Sequence, residues 1–64
     1  MRDRVIVIAE RDTNIRHLAA RTLRRHGYAV VEAATAKAAL AAIRQSSPGL
    51  LILDLSLPPT GGAV

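Results

Sequence analysis

Apolar and polar positions fall into short alternating blocks along the chain. Val5-Ile6-Val7-Ile8 is an unbroken β-branched run, the pattern of a strand covered on both faces as in parallel sheets, and it predicts a first strand over 4–9. Asp12, Thr13 and Asn14 then offer N-cap side chains ahead of Ile15, Leu18, Ala19, Thr22 and Leu23, which recur at the spacing of one helical face. That helix stops at His26-Gly27: glycine supplies the left-handed C′ conformation, and Arg24, Arg25 and His26 suit the negative end of the dipole.

Tyr28-Ala29-Val30-Val31-Glu32-Ala33 reads as a second strand. Thr35 caps a second helix whose apolar stripe is Ala36, Ala39, Leu40 and Ile43, and Ser46-Ser47-Pro48-Gly49 ends it. A third strand follows over Leu50 to Leu53, and Pro58, Pro59, Gly61 and Gly62 make the segment after it a loop. The order strand-helix-strand-helix-strand, with short connections and right-handed crossovers, predicts an open parallel α/β sheet in one domain over 1–64.

Composition narrows this picture. Half the residues are hydrophobic, which argues against a disordered tail, but Tyr28 is the sole aromatic and alanines are many, so the core is built from small and aliphatic side chains. The absence of cysteine removes disulfides and thiolate metal sites. Nine Lys and Arg against five acids give a net charge of +4, with Arg16, Arg21, Arg24 and Arg25 mostly off the apolar stripe; a solvated basic face is the simpler reading, and nucleic-acid binding ranks last. No stretch reaches the roughly 18–20 apolar residues of a membrane span, and the expected location is the cytoplasm.

The chemistry lies in the acids. Glu10 and Asp54 each follow a buried strand directly and Asp12 lies in the loop after Glu10, so a parallel sheet brings them to its carboxyl edge, where open α/β sheets bind ligands. Such carboxylates suit a hard cation such as Mg²⁺, and an aspartate there is able to attack a phosphoryl group and form an acyl phosphate. Capping and helix-dipole roles for Glu10 and Asp12 coexist with this one. His17 and His26 have the character of surface or cap residues.

The segment Asp54-Leu55-Ser56-Leu57-Pro58 through Gly62 resembles the phosphoacceptor segment and following loop of response-regulator receiver domains, in the Asp, the Pro four residues on and the second Gly. Asn14-Ile15-Arg16, the His26-Gly27-Tyr28 turn with Val30-Val31, and Ala39-Leu40 also fall where that family has equivalent residues. The resemblance implies a partial flavodoxin-like sheet, β-α-β-α-β, that lacks the last two strands and three helices of a receiver. It further implies that Asp54 accepts phosphate from a histidine kinase or phosphotransfer protein, that Mg²⁺ bridges the carboxylates of Glu10 and Asp54, with Asp12 a weaker substitute ligand, and that Pro58 and Gly62 shape the loop.

Two departures qualify the expected activity. Receivers place two adjacent acids after the first strand, whereas this chain has Glu10 and Arg11; a guanidinium in place of a carboxylate opposes a divalent cation unless it turns to solvent, and it is also able to pair with Asp54. The phosphate-binding hydroxyl residue and lysine of the family belong to the later half, so the expectation is a truncated module with impaired phosphorelay chemistry. The alternative is a phosphorylation-independent interaction module, a homodimer through the apolar edge of the third strand. No nucleophile–base pair points to turnover of a free substrate, so the chain is not expected to be an enzyme.

Overall fold

The computed structural model describes residues 2–60. It contains β1 (Arg2–Ala9), α1 (Thr13–Arg25), β2 (Ala29–Ala33), α2 (Ala36–Ser46) and β3 (Pro48–Leu53). The strands form one parallel sheet in the order β2-β1-β3, which is the start of the flavodoxin-like order. The expected elements are therefore all present, with β1 and β3 starting two residues earlier and β2 one residue later than the pattern indicated.

The β-branched run earns its central place, since Val5, Ile6, Val7, Ile8 and Ala9 are all buried. Alternation along the strands divides the core in two. Ile6 and Ile8 meet Ala20 of α1, with Ala19, Leu23, Tyr28 and Val30 around them, while Ala9 and Ala33 meet Ala39 of α2 and Leu57 of the last loop. The helices thus lie on opposite faces of the sheet.

Both helical stripes are rotated from their expected positions. On α1, Ile15 and Leu18 are exposed and Ala20 is buried; on α2, Leu40 is exposed and Ala42 is buried. The reason is steric, because methyl side chains let each helix lie close to the sheet, and the larger aliphatics are displaced to its flanks. β3 is an edge strand whose Leu50, Leu51, Ile52 and Leu53 stay 39–53% exposed.

The caps follow the sequence. Asp12 Oδ1 accepts from Ile15 N–H at 2.9 Å, and Thr35 Oγ1 accepts from Ala38 N–H at 3.1 Å. Gly27 ends α1 at φ 90°, where its N–H donates to Arg24 O. Arg4 closes this corner, its guanidinium 4.8 Å above the Tyr28 ring and 3.4 Å from the carbonyls of His26 and Gly27. The α2 terminus is less relaxed, because Ser47, directly before Pro48, adopts φ 46°, ψ 60°.

Candidate functional site

β1 lies between the other two strands, so the chain reverses its direction of travel across the sheet between β1 and β3. Open α/β sheets bind their ligands at such a reversal, outside the carboxyl ends of the strands. Here the last registered pair is Ala9 with Leu53, and the next residue on each strand is an acid, Glu10 and Asp54. Ladder bonds hold both in place: Asp54 N–H donates to Ala9 O at 2.8 Å and Glu10 N–H to Ala33 O at 3.0 Å.

Asp54 is tied to its own loop. Ser56 N–H and Ser56 Oγ–H donate to Oδ1 at 2.9 and 2.8 Å, and Leu57 N–H donates to the Asp54 carbonyl at 3.2 Å, which closes a turn. These two Ser56 donors are the main reason the Asp54 carboxyl is lowered from 3.8 to about 2; Glu10 and the Arg11 N–H act in the same direction, and partial desolvation opposes them. Glu10 is raised above its ordinary value, first by the hydrogen bond it shares with Asp54, then by desolvation and by the Asp54 charge. The environments therefore separate two neighbouring acids, and Asp54 is the one that ionises first as pH rises.

The loop beyond Asp54 folds back onto α2. Ala36 N–H donates to Pro58 O at 2.8 Å and Lys37 N–H to Pro59 O at 3.0 Å, so the carbonyls of the two prolines satisfy open amides in the first turn of the helix. Leu57 packs on the Ala9, Ala33 and Ala39 cluster beneath. Pro58 thus sits at the loop's contact with α2, whereas Gly62 lies outside the described residues. A groove of about 150 Å³ runs beside the acids on the α1 face, lined by Ile8, Ile15, Ala19 and Ile52 together with Glu10 and Asp54.

Asp12 uses its Oδ1 as the α1 cap, while its N–H lowers and its charge raises the neighbouring Glu10 carboxyl. Among the described residues no group of three His, Cys, Asp or Glu side chains is placed to hold a metal ion. Two carboxylates still fit Mg²⁺, which is commonly bound by one or two carboxylates with water completing its shell. Arg11 is exposed, and it is its backbone N–H that reaches Asp54, at 3.4 Å from Oδ2; among the described residues its guanidinium forms no ion pair. The geometry therefore corresponds to the solvent-turned alternative for this side chain.

The sequence reading missed a second cluster. Glu32, the penultimate residue of β2, receives Arg16 Nε and His17 Nε2 at 3.4 Å on Oε1 and Arg24 Nη1 at 3.2 Å on Oε2. Arg16 and Arg24, assigned from the pattern to a solvated basic face, are instead turned onto the sheet, and Arg16 also donates from Nη1 to the Glu10 carbonyl at 2.9 Å. A signal was available: an acid inside the apolar run Val30-Val31-Glu32-Ala33 needs a partner when the strand is covered.

No helix among the described residues is long and apolar enough to cross a membrane. No curated protein and no solved structure matches the chain. A family model, that of the response regulator receiver domain, matches residues 6–63, a span that runs from the second half of β1 through both helices, β2 and β3 to the Asp54 loop. With that match covering most of its length, and with a three-stranded parallel sheet that sets an acid at each strand end of its reversal, the chain belongs to the response regulator receiver domain family, the phosphorelay modules of two-component systems.

Proposed function

We propose that Asp54 is the phosphoacceptor of this module and takes its phosphoryl group from a phosphohistidine on a histidine kinase or phosphotransfer protein. One observation carries the reading: at the sheet's reversal Asp54 is the carboxylate whose ionised form is favoured, held by Ser56 with its Oδ2 turned toward the Arg11 N–H and away from the Ser56 bonds. In the transfer a carboxylate oxygen of Asp54 forms an O–P bond while the P–N bond of the phosphohistidine breaks, and the imidazole leaves with the electron pair. Glu10 and Asp54 would hold Mg²⁺, which supplies neutralisation of the phosphoryl charge when bound. The transfer ends on the protein's own side chain, so the module is a stoichiometric acceptor in the cytoplasm and not an enzyme that turns over a free substrate.

Acetyl phosphate with Mg²⁺, followed by intact-mass spectrometry, tests the reading. The expected result, given the impaired chemistry expected of this module, is slow and substoichiometric addition of one phosphoryl group that is absent from Asp54→Asn; a wild-type chain with no added group would overturn it. Arg11→Asp should tighten Mg²⁺ binding, since it exchanges a cation for a carboxylate beside the pair.

A second reading keeps the fold without the chemistry: association of two copies through β3. It is favoured by the exposure of Leu50 to Leu53 along a strand whose outer edge carries no charged residue to block pairing. Sedimentation at micromolar concentration separates the two, because a monomer would eliminate the dimer.

A further inference from the structure

The Glu10 carbonyl and the Arg11 N–H belong to one peptide unit, and both are held. Arg16 Nη1 donates to Glu10 O at 2.9 Å, and Arg11 N–H donates to Asp54 Oδ2 at 3.4 Å. Because the unit is planar and trans, the direction of its C=O fixes the direction of its N–H. A grip on the carbonyl therefore aims the amide on the opposite side.

Arg16 is placed firmly enough to act as that grip. Its side chain is only 12% exposed, and its Nε faces Glu32 Oε1 at 3.4 Å. Glu32 is itself anchored, since Arg24 bonds its other oxygen at 3.2 Å and the Val30 carbonyl at 2.8 Å. Glu32 Oε1 is buried and has no well-formed hydrogen bond among the described residues, so its negative charge is balanced there through the facing Arg16 guanidinium, while the His17 side chain is largely exposed.

We propose that Arg16 is a positioning residue for Asp54, acting through the Glu10–Arg11 peptide unit. Glu32 orients the guanidinium from β2, the guanidinium fixes and polarises the Glu10 carbonyl at the exit of β1, and the peptide presents its N–H to the acceptor oxygen. Polarisation of one end of a peptide strengthens the donor at the other. The kinetic consequence rests on the reading of Asp54 as phosphoacceptor; the geometric claim does not.

The test uses the 64-residue chain and Arg16→Gln, compared by ¹⁵N–¹H spectra and by acetyl phosphate labelling. In the variant the Arg11 amide proton should move upfield by more than any amide of Val5 to Ile8. The rate of phosphoryl addition at saturating donor should fall roughly five- to tenfold, the worth of about one hydrogen bond, with the half-saturating donor concentration unchanged. A merely structural role would lower the melting midpoint and shift the strand amides together. An Arg11 amide that stays in place, or moves no more than the β1 amides, overturns the proposal. If R16Q does not fold, Arg16→Lys is read in the same way, since one ammonium cannot hold both Glu10 O and Glu32. Should the wild-type chain accept no phosphate, the phosphoacceptor reading fails by itself and the amide comparison still decides the positioning role.

Discussion

Replacing Glu32 by glutamine keeps its shape and an acceptor oxygen but removes the charge that the Arg16 and Arg24 guanidinium groups pair with and the His17 ring faces. The three contacts differ in worth because they differ in exposure. The Arg24 side chain is 49% exposed, the regime in which an ion pair contributes about 0.2–1 kcal/mol, and the His17 ring, 61% exposed, makes the most solvated of the three contacts. The pair of Arg16 with Glu32, 12% and 22% exposed, lies nearer the buried limit, where removing one partner costs about 3–5 kcal/mol. Allowing for the partial exposure and the retained acceptor, we expect Glu32→Gln to lose about 1.5–3 kcal/mol, most of it through Arg16. At roughly 4–8 °C per kcal/mol for a domain of this size, the melting midpoint should fall by about 6–24 °C.

Thermal unfolding followed by far-UV circular dichroism at neutral pH measures this directly. His17→Ala is the internal comparison and should stay within about 0.5 kcal/mol of the wild type. Added salt should leave most of the effect of Glu32→Gln, because exposed pairs are the ones screened and the Arg16 pair is largely covered. A midpoint for E32Q within error of the wild type would refute the argument, as would a loss for H17A equal to that of E32Q.

Three further outcomes follow from the same structure. Ile8→Ala, at a fully buried position of the central strand, should cost about 2–5 kcal/mol, a large part of the roughly 3–10 kcal/mol available to a chain this short; urea titration should show it mostly unfolded or with a sharply lowered midpoint. Asp54 titrates at about 2, below its ordinary 3.8, so the stability it supplies is complete above pH 3.8 and lost as pH falls through 2, whereas raised Glu10 contributes below its ordinary 4.5 and loses that contribution as pH climbs through its folded value. Carboxyl ¹³C titration of Asp54→Asn should show Glu10 returning toward 4.5; a Glu10 that stays raised would disprove the shared hydrogen bond. Ser47→Gly relieves a left-handed backbone before Pro48 and should stabilise the chain by about 0.5–1 kcal/mol in thermal melts, and a lowered midpoint would count against strain at this turn.

The sequence by itself determined the order of the elements, because the signals involved are local. An unbroken β-branched run, a capping Asp12 or Thr35 and a glycine after His26 act through neighbours a few residues away, and the strands and helices formed where they pointed. It also determined that Glu10 and Asp54 would meet, since each directly follows a strand and parallel pairing brings strand ends together. Tertiary structure alone decided which helical side faces the sheet, because that depends on how closely two surfaces approach: Ala20 and Ala42 won over Leu18 and Leu40 by being small. It alone decided the fate of the charges as well. Arg16 and Glu32 are sixteen residues apart, and only the packing of α1 on β2 makes a surface arginine into the guanidinium that holds the Glu10 carbonyl beside Asp54.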